Sequence, residues 1–183
     1  QDWHTDMSYS EPIAFLNVLH GLKIPRRDGK PLGATLFVDM CAVYDDLPAD
    51  LKAKLVGRTA THDFAKFWDM MRERPGSTRP PLTAEQRAKK PPVSHPILIT
   101  HPISGRIALY CNVGYVTKID GMPKAESDAI LDILFKQQLL PKYQYAHRWT
   151  EGDVLAWDNI WTMHNAEADY GPDEHYARII KDK

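Results

Sequence analysis

The chain has 183 residues, 43% hydrophobic and 26% charged, with a formal net charge of -1. That is enough to bury the core of one soluble, globular domain, and it excludes a disordered chain. No basic excess points to nucleic acid, no apolar run approaches a membrane span, and Cys41 and Cys111 form no CxxC pair, so a zinc ribbon is excluded and a reduced, cytoplasmic setting is expected.

Residues 13–20 are mostly apolar and predict a buried strand, and 25–33 a turn-rich loop. Residues 34–40 predict a second strand. A helix follows over 40–56, bent at Pro48, with Ala42, Val43, Leu47, Leu51 and Leu55 on one face. Phe64, Phe67, Trp68 and Met71 recur at helical spacing, and a stretch rich in proline and arginine runs from Arg72 to Pro92. Residues 62–92 therefore predict an insertion that works as a lid, since long irregular segments in compact domains often cover a site.

Strand character returns at Val93. Residues 95–102 and 106–112 form two apolar runs joined through Ile103, Ser104 and Gly105, a hairpin signal. Residues 123–140 predict an amphipathic helix opened by Pro123, with Ile130, Leu131, Leu134 and Phe135 as its stripe. Strands are expected over 143–149, 153–157 and 176–180, with a tight turn at Glu151-Gly152-Asp153. Roughly eight short strands and two helices favour a mainly β fold with flanking helices, an antiparallel double-sheet jelly roll. The whole of 1–183 is expected to form one such domain.

Three signals carry chemistry. In His4-Thr5-Asp6, residues i and i+2 of a strand share a face, so an imidazole and a carboxylate can converge on one metal ion. Alone the triplet carries little weight, because it recurs by chance. Late in the chain, the run Trp157-Asp158-Asn159, Thr162, His164 places a histidine after a strand and a turn. Two histidines and one carboxylate on one face of iron leave open the positions that oxygen chemistry needs. Arg178, fourteen residues after His164 and the only arginine beyond it, can grip a carboxylate through paired hydrogen bonds, with Thr35 as hydroxyl partner.

Together, WHTD from Trp3, GATLF from Gly33, HPILITHP from His95 with Ser104-Gly105, NVGY from Asn112, and the run from Trp157 to His164 resemble the taurine dioxygenase and 2,4-dichlorophenoxyacetate dioxygenase family. The resemblance extends from Trp3 to Arg178. It implies a double-stranded β-helix fold, with His4, Asp6 and His164 as ligands of Fe(II) and as the catalytic centre. It also implies Thr35 and Arg178 as contacts of 2-oxoglutarate, and dioxygen as second co-substrate. Asn112 and Tyr115 are candidates for the substrate pocket. Members of the family carry a longer segment ahead of the H-x-D motif, so an N-terminal part is expected to precede Gln1.

The implied reaction oxidises a small organic molecule, usually by hydroxylation, and releases succinate and carbon dioxide. No nucleic acid or membrane partner is expected, and a homo-oligomer is left open. Desaturation or oxidative remodelling at the same iron is the near alternative. A metal-binding jelly roll that senses or binds without catalysis is the alternative from another class. His62, His95, His101 and His147 are expected to pack or hydrogen-bond rather than ligate.

Overall fold

In the computed structural model, residues 2–171 and the backbone of residues 177–182 are described. The architecture is mainly β with flanking helices: thirteen strands, several only two or three residues long, and five α-helices among the described residues. Every strand pairing there is antiparallel.

Two three-stranded sheets frame the site. In the first, β1 (Leu16–Lys23) lies between β11 (Val154–Asp158) and β13 (Ala177–Asp182). In the second, β4 (Thr35–Asp39) lies between β10 (Gln144–His147) and β12 (Thr162–Ala166). Leu19, Ile24 and Trp149 are buried together, with Leu155 and Trp157 packed against them. A third sheet pairs β5 (Thr59–His62) with β6 (Val93–Pro96) and β9 (Val116–Ile119). Two small hairpins complete the β structure: β2 (Arg26–Arg27) with β3 (Lys30–Pro31), and β7 (Leu98–Thr100) with β8 (Ile107–Leu109).

The larger core gathers Val38, Leu55, Ile97, Leu109, Val116, Leu134 and their neighbours. It is closed by α1 (Met40–Asp45), α2 (Ala49–Leu55) and α5 (Lys124–Gln138). The stripe expected on α5 is the buried one: Ile130, Leu131 and Leu134 lie inside and Phe135 packs at the margin.

Several elements differ from the expected ones. The helix over 40–56 is not bent but broken into α1 and α2, with Pro48 as the residue before α2. Proline has no N–H to give the preceding turn, and its ring clashes with the carbonyl four residues back. The first strand begins at Leu16 rather than at residue 13. The carbonyls of Ala14 and Phe15 are instead taken by the Asn159 side chain at 3.2 Å and the Asn159 backbone N–H at 2.8 Å, which replaces a ladder. Strands β5, β9 and β12 were not anticipated, because each is only four or five residues long and lacks a clean alternation. The stripe over 64–71 forms α3 (Phe64–Arg72), capped by Asp63. The stretch after it contains α4 (Ala84–Lys89), opened by a capping box between Thr83 and Gln86.

Candidate metal centre

His4 reaches the site through the backbone. Its N–H donates to the His164 carbonyl at 3.0 Å, and the His164 N–H donates back at 2.8 Å. The H-x-D triplet is therefore not a strand along its length. His4 makes one paired bridge at the margin of β12, and the chain turns at Asp6, with Met7 in the left-handed region at φ 55. The turn, rather than strand alternation, swings the Asp6 carboxylate toward the imidazole. His164 follows strand β11 and the turn at 159–161, as expected, and itself lies inside a further strand, β12, opposite Phe37 of β4.

The structure brings the three residues together: one ligand atom from each of His4, Asp6 and His164 lies within 4.8 Å of the other two. His4 Nε2 is 3.2 Å from Asp6 Oδ1, and His164 Nε2 is 3.7 Å from Asp6 Oδ2. His4 Nδ1 lies 2.5 Å from the carbonyl of Asp2, which only accepts, so Nδ1 carries a proton and Nε2 is the nitrogen turned inward. His164 is buried, and burial, reinforced by the neighbouring His4, pushes its imidazole down to about 4 despite Asp6. It is thus neutral, the form that ligates. Burial raises Asp6, but the His4 hydrogen bond and the two imidazoles outweigh that and leave it below its ordinary value, a carboxylate at neutral pH.

The donor set is two imidazole nitrogens and one carboxylate oxygen, which suits iron(II) with open positions. His164 Nδ1 is buried with no hydrogen-bond partner, so in this arrangement nothing but Nε2 gives that ring a polar role.

Aromatic rings wall the site. Phe67 of α3 is 5.1 Å from the His4 ring, and Tyr115 stands edge-on to it at 6.2 Å. Phe37 and Trp157 lie 6.1 and 5.2 Å from the His164 ring. Behind those two rings an apolar cleft of about 400 Å3 opens between the sheets, bounded by Tyr143, Tyr145, Leu155 and Trp161. Gly114 of the NVGY segment explains itself here. A Cβ on it would meet the Trp3 carbonyl at 2.9 Å, Phe67 at 3.0 Å and His4 Cβ at 3.1 Å, so only glycine lets this turn close on the ligand.

Thr35 shares the face of β4 that carries Phe37 and therefore faces the same side as His164. It is buried, and the indole N–H of Trp149 donates to its hydroxyl at 3.0 Å. Arg178 lies in β13 directly opposite Gly21 of β1, while its side chain falls outside the described residues. Asn112 is fully used inside the fold, since its amide donates to Ser8 Oγ at 3.0 Å and accepts the Tyr115 N–H at 2.9 Å. Tyr115 stands beside His4, and burial raises its phenol above the ordinary value.

The other histidines have structural partners or surroundings. His101 donates to Asp158 at 2.6 Å, and its second nitrogen accepts the Ser104 N–H at 3.1 Å. His95 binds the Ser10 carbonyl at 2.9 Å, His147 packs edge-on against Trp149, and His62 is buried between His95 and Tyr110. Missed by the sequence reading were Asn17 and Asn159, which hold Asp6. The Asn17 amide donates to Asp6 Oδ2 at 2.9 Å, and the Asn159 amide to the Asp6 carbonyl at 2.7 Å. Asn159 stood in the run from Trp157 with no role given to it, and Asn17 stood in no motif; their being buried was the signal, and it is a tertiary one.

The family model described as "Taurine catabolism dioxygenase TauD, TfdA family" matches residues 1–181. The alpha-ketoglutarate-dependent 2,4-dichlorophenoxyacetate dioxygenase of Burkholderia sp. (strain RASC) is 37% identical over 164 residues, 90% of this chain and 52% of that protein. Pentalenolactone F synthase of Streptomyces avermitilis is 30% identical, over 91% of this chain and 56% of that protein. Among solved structures, AAD-2 in complex with Mn(II) and N-oxalylglycine superimposes with a TM-score of 0.84 at 27% identity, covering 98% of this chain and 66% of that one. The chain thus spans about half the length of these two sequence relatives. With a family model matched along 1–181 and the ligand set assembled, the chain belongs to the TauD/TfdA dioxygenase family.

Proposed function

We propose that this chain carries the catalytic centre of an Fe(II)- and 2-oxoglutarate-dependent dioxygenase that oxidises, most simply hydroxylates, a small organic substrate. The observation that carries the reading is the convergence of His4, Asp6 and His164 within 4.8 Å from opposite ends of the sequence. When bound, iron supplies the activation of dioxygen that no side chain can perform. The protein's own residues do the rest. His4 and His164 offer fixed imidazole nitrogens, Asp6 offers one negative charge, and three single-atom donors leave positions for the keto acid and dioxygen. Arg178 and Thr35 hold the far carboxylate of 2-oxoglutarate; Thr35 is oriented for this by Trp149 and faces the side of His164.

The two framing sheets are the facing sheets of a double-stranded β-helix within a single catalytic domain, with the metal between them and the flanking helices outside. Residues 62–92 form its cover: Phe67 of α3 packs its ring, tilted, 5.1 Å from that of His4. Phe67 and Tyr115 line the mouth where substrate meets the metal, and Asn112 supports that wall by fixing Tyr115. The relatives named above include one named for 2,4-dichlorophenoxyacetate and one named for making pentalenolactone F, which supports a small-molecule substrate. No helix among the described residues is long and apolar enough to cross a membrane.

The test is succinate release from 2-oxoglutarate with Fe(II) and oxygen, across a panel of small acids and amines. The wild type should release succinate in a substrate-stimulated manner, and His164→Ala should not. Metal binding without any succinate release would replace this reading with that of a non-catalytic metal-binding module.

A further inference from the structure

We propose that Asn17 and Asn159 are positioning residues that make Asp6 a one-oxygen ligand; the inference rests on the metal-centre reading above. Both asparagines are buried, and a single chain of hydrogen bonds runs through them. The Asn159 amide nitrogen donates to two main-chain carbonyls, those of Asp6 at 2.7 Å and Ala14 at 3.2 Å. Carbonyls only accept, so this end of Asn159 must be its NH2, and its Oδ1 must face Asn17. Asn17 in turn must present its own NH2, which donates to Asn159 Oδ1 at 3.0 Å and to Asp6 Oδ2 at 2.9 Å. The orientation of both amides is thus set by chemistry.

The result is that Asp6 is gripped at both ends, by its carbonyl and by one carboxylate oxygen. Oδ2 is bound to the protein, and Oδ1 is the oxygen presented 3.2 Å from His4 Nε2. A carboxylate that ligates through both oxygens takes two positions on a metal. Here that would consume a position needed by the keto acid or by dioxygen. Asn17 stands on β1 and Asn159 in the turn that launches β12, so the same clamp ties the carboxylate ligand to the strand that carries His164. Groups that orient metal ligands in this way typically change metal affinity by about tenfold to a hundredfold when removed.

The experiment uses Mn(II), followed by calorimetry and by electron paramagnetic resonance, with a crystal structure of the Mn(II)-loaded wild type. Wild type that binds no Mn(II), or His164→Ala that binds it equally well, would defeat the metal-centre reading itself. Given a working centre, Asn17→Leu keeps the approximate shape and removes the donor without adding a charge, and Asn17→Ser is a milder shortening. Both should weaken Mn(II) by about tenfold to a hundredfold and alter its resonance spectrum, because the ligand set around the ion changes. In the wild-type crystal Asp6 should bind through Oδ1 alone, with Oδ2 on Asn17. Unchanged affinity, or weakened affinity with an unaltered spectrum, would overturn the proposal. A two-oxygen Asp6 in the wild-type crystal would do the same, and that result stands even where neither variant folds.

Discussion

His4 and His164 present the same nitrogen by different means. A main-chain carbonyl sets the ring of His4, whereas burial holds His164 neutral. The carbonyl belongs to Asp2, two residues before His4, whereas the burial of His164 comes from packing, so residue types were legible in the sequence and their chemical states were not. The proposed 2-oxoglutarate contacts divide in the same way. Arginine was the one side chain after His164 able to grip a carboxylate with two bonds, but what faces it is a matter of pairing, and β13 sets Arg178 opposite Gly21. For an arginine that pairs with a buried carboxylate, loss of the partner costs roughly 3–5 kcal/mol. Arg178→Ala should therefore weaken 2-oxoglutarate binding by about a hundredfold to several thousandfold. Thr35→Ala removes a neutral hydroxyl while the arginine remains and should cost about 1 kcal/mol. Titration of the metal-loaded protein with 2-oxoglutarate reads both; an unchanged dissociation constant for Arg178→Ala would mean that another cation does the work.

Among the elements, α3 matters most for function. Its stripe was visible as a helical repeat, but only the fold shows Asp63 capping it and Phe67 resting 5.1 Å from the His4 ring. What ties the following stretch down is largely exposed. Arg74 pairs with Asp2 at 2.6 Å, Arg87 with Asp69 at 2.9 Å, and Arg79 lies over the Trp68 ring. Exposed ion pairs contribute little, commonly under about 1 kcal/mol each. An element anchored by an aromatic stripe and weak surface pairs suits a cover that opens. Amide hydrogen exchange over residues 62–92 should be fast in the metal-free protein. It should slow when Mn(II), N-oxalylglycine and substrate are bound together. Equal protection in both states would make the segment permanent core. The capping box at Thr83, a threonine followed three residues later by glutamine, was passed over in the sequence, and it marks a helix inside what looked irregular.

At the scale of the whole molecule, the core includes groups that resist protonation. Burial, with His95 and Lys66 adding to it and Asp120 opposing, pushes His62 from 6.5 down to about 3, and neither ring nitrogen has a hydrogen-bond partner. Between those values the unfolded chain binds a proton that the folded chain refuses. Stability is therefore fully present above about pH 6.5 and is lost as pH falls toward 3, by up to ~1.4 kcal/mol per pH unit for the one group. His164 acts in the same direction in the metal-free protein. Urea midpoints of metal-free protein should fall steadily from pH 7 to pH 4.5. His62→Leu should flatten that slope without abolishing it, and an unaltered slope would assign the effect elsewhere.

The amino-acid sequence by itself determined the family, the strand-rich architecture and the apolar face of α5, and it offered the three proposed metal ligands. Each of these rests on residue identity and spacing along the chain. Tertiary structure decided the remainder. A turn rather than a strand brings Asp6 to His4, a proline divides one helix into two, and a glycine at 114 admits the ligand's own Cβ. Two asparagines 142 residues apart meet across the sheets to hold the carboxylate. The physical reason is the same throughout. Pairing register, burial and hydrogen-bond partners arise only when distant segments meet, and periodicity within one segment carries no record of its neighbour.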